Sequence, residues 1–329
     1  MEIAKVSGAT ASGASVSGAT DWIAIGGYYS TSSMELQFNT TLGDGLPQLS
    51  IRIGGLAGSP VWPNVIDWGD GTVEELIVTP QTHIYSTGGV YDVKLNGFGV
   101  FNPQDDIPTK LVQINKWSDT IELLSLNGCQ QLTSITDSNS PVFSSGSGVL
   151  LLANCPLLSA VSGINNWDVS ELSSLSSAFF NSSLFDEDIS SWDVSGITQF
   201  GFMFQGSTSF NQDISGWDVS SGSQFSSMFY NASSFDQNLG PWKLGNNALA
   251  DFFFANAGIS DSNVALCLEG WDSVGQGTGV NMSNMFGTAV IGGGPRTLSE
   301  STYPNAKTAY DNLISTYSWT LSNSINWVP

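Results

Sequence analysis

The sequence predicts a mainly β protein: an N-terminal β-sandwich, then a solenoid of 25-residue coils, closed by a short helical cap. Three observations predict it. Trp167, Trp192, Trp217 and Trp242 stand 25 residues apart, and Trp271 follows after 29. Apolar and polar residues alternate with period two through residues 34–38 and 49–53, the pattern of half-buried strands. Only 11% of residues are charged, well below the usual quarter. The polar surface must then come from Ser, Asn, Thr and Gly, which suit turns and extended chain better than helices.

The repeat is the strongest of these signals. In register with the tryptophans, Asp168, Asp193 and Asp218 come next, inside Trp-Asp-Val-Ser. Phe179, Phe204, Phe229 and Phe254 follow twelve residues on. Phe185, Phe210 and Phe235 fall at eighteen, and Ile189, Ile214, Leu239 and Val264 at twenty-two. A fixed period of this length marks stacked coils, each burying its apolar side against the next. The Trp and Phe series are therefore expected to form core ladders. Earlier coils read from Leu123 and Leu150. Cys129 and Cys155 occupy one place in these two successive coils, so they stack either as buried thiols or as a disulfide.

The wording Phe210-Asn211-Gln212-Asp213-Ile214-Ser215-Gly216-Trp217-Asp218-Val219-Ser220, followed by Met228-Phe229 and Ala232, resembles the BspA-like leucine-rich repeat of bacterial surface proteins. The resemblance covers roughly residues 120–290. It implies a right-handed leucine-rich-repeat solenoid used for adhesion or binding, not catalysis.

Before the repeat lie two regions. Residues 1–20 are low in complexity, with Val-Ser-Gly-Ala-Thr occurring twice; they read as an arm that docks on a partner or a neighbouring copy. Residues 21–100 read as the sandwich. Asp70-Gly71 is a hairpin signal, since Gly takes the positive φ that the turn needs. Trp68-Gly69-Asp70-Gly71-Thr72, then His83-Ile84-Tyr85, then Gly89-Val90-Tyr91-Asp92-Val93 resembles a PKD-like, immunoglobulin-type β-sandwich. Residues 101–122, with Pro103 and Pro108, read as a junction. The solenoid is expected over 123–295 and the cap over 296–329. Pro304 opens a stretch with helical spacing at Ala306, Ala309, Tyr310, Leu313 and Ile314, and residues 318–321 read as a last strand.

Net charge is −21, and no basic residue stands between Lys116 and Lys243. Phosphate recognition needs Lys or Arg, so nucleic acid and anionic membrane are poor partners. No run of apolar residues is long enough for a membrane span. The only histidine, His83, lies in the strand motif and reads as structural, so no catalytic constellation is expected and no cofactor beyond calcium.

Two surface features are candidates for binding. The repeated acids Asp168, Asp193, Asp218, Asp188 and Asp213 form columns one coil apart. Either calcium bridges the carboxylates, or each Asp holds its own turn through backbone N–H groups. Asp67 and Asp70 pose the same choice, with a hairpin turn sufficient to explain them. Phe180, Phe202, Tyr230, Phe252 and Phe253 fall beside ladder positions. Some of them face outward, either as a sugar or protein contact or inside a subunit interface.

The opening residues, Met1 to Lys5, carry no apolar run of the secretion-signal kind. A surface-type protein without one is expected on a phage particle: a decoration, tail or fibre component. Its arm and sandwich would contact other virion proteins or its own copies, and its acidic solenoid would meet host glycan or protein. The alternative is a bacterial cell-surface adhesin.

Overall fold

The computed structural model describes residues 23–25, 28–30, 33–42, 47–51, 64–76, 81–96, 107–116, 124–141, 143, 150–287, 295–322 and 324–329. The arm at 1–20 lies outside them. The chain is mainly β with few helices, and no sheet among the described residues closes into a barrel.

The alternating stretches become strands. In order they are β1 (Ile23–Ile25), β2 (Tyr28–Ser30), β3 (Ser33–Asn39), β4 (Gln48–Ile51), β5 (Asn64–Asp67), β6 (Val73–Leu76), β7 (Gln81–Ile84) and β8 (Val90–Asn96). β3 is central, with Met34, Leu36 and Phe38 buried and Glu35 and Gln37 on its other face. It pairs antiparallel with β8 over its whole length. β5 continues the sheet from β8, and β6 closes the edge through the expected hairpin. There Asp67 Oδ1 accepts the Gly69 N–H and Asp70 Oδ1 accepts the Thr72 N–H, each at 3.0 Å. β4 and β7 pair separately. His83 stacks on Trp68 at 4.9 Å and contacts Asp70 at 2.8 Å. The buried Tyr85 hydroxyl donates to the Trp68 carbonyl. These contacts explain the spacing of the Trp, Asp, His and Tyr residues without any chemistry.

The stretch expected only to connect carries structure. After the single turn α1 (Ile107–Lys110), β9 (Leu111–Lys116) pairs antiparallel with β3. On its other side it pairs parallel with β11 (Ser134–Ile135), and β11 pairs parallel with β13 (Ala160–Val161). One seven-stranded sheet therefore runs in the order β13-β11-β9-β3-β8-β5-β6. β9 converts an antiparallel sheet into a parallel stack, so the first coil has no open edge to protect at β11. β10 (Leu124–Ser125) and β12 (Leu150–Leu151) form a second parallel ladder.

From residue 164 the coils are held by a different backbone pattern. Ser177, Phe179 and Asn181 donate their N–H groups to Gly201, Met203 and Gln205 of the next coil. Ala178, Phe180 and Ser182 instead donate to Leu175, Ser177 and Phe179, three residues back. Along this stretch every second N–H thus joins neighbouring coils and the rest close tight turns. Parallel bridges run Ser174–Gln199–Gln224–Leu249–Asn281–Thr320.

The repeat changes at its fifth tryptophan. Residues 261–273 form α2 (Asp261–Ser273), N-capped by the Ser260 hydroxyl. Val264 and Trp271, read as members of a coil, lie on the buried side of this helix. β14 (Arg296–Ser299) pairs parallel with β15 (Ile325–Val328). α3 (Pro304–Ser315) has Pro304 in its first turn and packs on α2. The last strand expected at 318–321 reduces to the single bridge at Thr320; the strand proper is β15. The three cysteines are buried free thiols. Burial pushes the Cys267 thiol up to about 12.

Candidate binding surface

Within each coil the aromatic residues divide into an inner and an outer set. The inner set is the core ladder. Trp167, Trp192, Trp217 and Trp242 are all buried, and consecutive indoles from Trp192 to Trp242 stack at 6.4 Å, within 7° of parallel. Each indole N–H reaches back to the preceding coil: Trp192 to the Ile164 carbonyl, Trp217 to Ile189, Trp242 to Ile214. Phe179, Phe204, Phe229 and Phe254 stack at 5.5–5.8 Å. Phe185, Phe210 and Phe235 form a second column at about 6 Å. The two columns also pack face to face inside each coil, as in Phe204–Phe210 at 3.8 Å. Offset stacking of this kind adds to plain burial, about 0.5–1.5 kcal/mol per pair.

The acids take up the turns. Asp193 Oδ1 accepts the Ser195 N–H and hydroxyl at 3.1 and 2.7 Å. Asp168 does the same with Ser170. Asp188, Asp213 and Asp218 accept the N–H groups of Ser190, Ser215 and Ser220. Asn238 keeps the bond where the acid is lost, accepting from Gly240. Hydrogen bonds from the Ser195 hydroxyl and N–H hold Asp193 below the ordinary carboxylate value of 3.8. Those from Ser220 do the same for Asp218, with help from Lys243, and those from Ser190 for Asp188. Repulsion between Asp193 and Asp218 is a smaller influence than these bonds. Among the described residues no group of three or more His, Cys, Asp or Glu is placed to hold a metal ion.

These shifts carry a pH prediction. A folded-state pKa below the unfolded value gives stability that is present above that value and lost as pH falls through the folded one. The urea midpoint should therefore stay level from neutrality to about pH 4 and drop below it. Asn at 188, 193 and 218 keeps the turn-holding oxygen and should flatten that acid drop. An equal drop in the triple variant would show that the turns are not responsible.

The outer aromatic set sits on one face. Phe202 is 44% exposed, and Phe180, Tyr230 and Phe252 are partly buried beside it. Phe253, read with them from the sequence, is instead in the core, edge-on to Phe229 and Phe254. It takes the inner place because it falls in the buried column of Ala178, Met203 and Met228, eleven residues after the tryptophan. Two positions of each coil serve this face, the tenth and thirteenth after the tryptophan. Gln205 N–H bonds to the Phe202 carbonyl, so the two are the ends of one tight turn. Each coil places one ring there, at Phe180, then Phe202, then Tyr230, then Phe252. The ring-free positions hold the partly exposed Ser177, Gln205 and Ser227 and the buried Ala255.

Phe202 and Phe252 have φ of 61° and 56°. The same column holds Ser177, Ser227 and Asn284, also at positive φ. For a bulky residue this backbone is an outlier, costing about 1–2 kcal/mol. Side-chain amides border the row on both sides. Gln199 and Gln224 lie in the bridge column, and Asn181, Asn231 and Asn256, all at positive φ, lie just past the turn. Asn256 donates to Asn231 and Asn181 to Asn154 along the stack. The sequence marked the ring positions but not their backbone conformation; the Ser-Phe-Ser-Phe alternation at 177, 202, 227 and 252 was the available signal.

Among the described residues no helix is long and apolar enough to cross a membrane. A protein-family model described as "Mycoplasma protein of unknown function, DUF285" matches residues 152–267. No curated protein and no solved structure matches the chain. Over its central coils the chain is thus similar to a family of surface repeats, consistent with the BspA-like kind.

Proposed function

We propose that this chain is a non-catalytic binding protein of the adhesin type, displayed on a surface. In this reading the 25-residue coils form a solenoid that presents its outer aromatic face. An immunoglobulin-type sandwich over residues 21–100 and the arm at 1–20 attach it, and residues 296–329 cap the far end. The observation that carries the reading is the row of partly exposed rings, one per repeat and most open at Phe202, in the segment matched by the family model. The hydrogen bonds that occupy the acidic turns also support it, since they leave those carboxylates a structural role. Partners expected on charge grounds are glycan or protein rather than nucleic acid.

The test is immunolabelling and protease shaving of intact source cells. Label on the cell envelope that shaving removes supports the adhesin. Label confined to phage particles moves the same surface role to a virion. Protection of all the protein until cells are broken would overturn the surface reading.

A further inference from the structure

The outer rings differ from a random apolar patch in three ways, and together these specify a ligand. The first is periodicity. One ring stands on each of four successive coils, alternating between the two ends of the same turn. Neighbouring coils are hydrogen-bonded, so the row advances by about 4.8 Å per coil, close to the length of one sugar residue. Rings in one column, such as Phe202 and Phe252, are two coils apart. A surface with translational symmetry matches a polymer that shares it, and a globular partner does not.

The second is strain. Phe202 is held at positive φ while nearly half exposed, so burial does not compensate its backbone cost; Ser177 and Ser227 share that backbone in the same column without presenting a ring. Strain kept at an exposed site points to use. The third is the border. Amides of Gln199, Gln224 and Asn231 offer paired donors and acceptors beside the rings, and no Lys or Arg lies between Lys116 and Lys243 to receive an anion. Aromatic faces flanked by amides bind the C–H face and the hydroxyls of a pyranose; the missing cations exclude an acidic one.

We infer that this row binds an extended, uncharged glycan laid along the stack axis, about one sugar per coil. The inference rests on the surface-binding reading and names its ligand class.

The experiment uses the full chain and soluble neutral homopolymers of glucose, mannose and N-acetylglucosamine of graded length, with a polyuronate as the charged control. Phe202→Ser and Phe252→Ser, alone and combined, copy the residues of the alternate coils. Ser177 and Ser227 already adopt this positive-φ backbone in the alternate coils, so these variants should fold and melt close to the parent. The parent is expected to bind at least one neutral series, with affinity rising up to about four or five sugars and then levelling. The double variant should lose at least tenfold, and the polyuronate should not bind. Equal binding by parent and double variant would overturn the site. So would failure of every neutral series, or capture of a protein that the double variant no longer holds. If intact cells still display the protein while no neutral glycan binds, this site fails and the surface reading stands.

Discussion

Trp217→Ala should lower the stability of the fold by about 3–5 kcal/mol, the range for deleting a buried large aromatic. Trp217 is 4% exposed and stacks between Trp192 and Trp242 at 6.4 Å on each side. Its indole N–H donates to the Ile189 carbonyl of the preceding coil. Alanine removes both stacking partners' contacts, leaves a cavity in the middle of the aromatic ladder, and takes away one of that carbonyl's two donors, the other being the Trp192 N–H. In the proposed solenoid each coil contacts only its neighbours, so the defect cannot be spread over a wider core. Trp217→Phe keeps a stacking ring and loses the N–H, and should fall between the two. Guanidinium unfolding followed by circular dichroism reads the differences. A loss below about 1 kcal/mol for alanine would mean that the ladder is not what holds the coils together.

Gly270→Ala should destabilise by about 1–3 kcal/mol, against the direction of helix propensity. In an exposed helix the change would help by about 1 kcal/mol. Here α2 lies directly on the chain at Gly240. A Cβ on Gly270 would fall 2.4 Å from the Gly240 Cα and 2.6 Å from its carbonyl oxygen, positions fixed by backbone rather than by a movable side chain. On the same face Trp271 donates to the Leu239 carbonyl, and the Leu239 N–H reaches the Cys267 sulfur. Displacing the helix would therefore break its neighbours' bonds too. A Gly270→Ala protein that melts above the parent would show that α2 is not docked in this way.

The coils were legible because their core has one composition repeated in one register: Trp, Phe and Ile recur where the same neighbours recur. α2 was not, because its tryptophan kept the backward indole bond, to the Leu239 carbonyl, while the backbone changed. The apolar spacing at Val264, Ala265, Cys267, Leu268 and Trp271 after the capping Ser260 was the available helical signal. Gly240-Pro241 in place of Ser215-Gly216 marked where the helix would need room. β9 was hidden by the prolines before it, and its strand character depends on partners of Ile114 that lie 78 residues upstream and 21 downstream in sequence, at Leu36 and Ile135. For the outer face, register located Phe180, Phe202, Tyr230 and Phe252. It could not show that two of them lie on left-handed backbone, since φ is set by how consecutive coils bond.

The backward reach of the indoles gives the stack a mechanical direction. Trp192, Trp217, Trp242, Trp271 and Trp319 each donate to a carbonyl earlier in the chain. Peeling from the C-terminal end removes a coil together with its own tether, and what stays behind keeps every indole bonded. Peeling from the other end strips the acceptor away and strands an indole in the new terminal coil. Under tension the molecule should resist more at its N-terminal end. It should yield from the opposite end in regular increments, each freeing one coil, or roughly 80–90 Å of slack at full extension. A tether built this way lengthens step by step under load instead of failing at once.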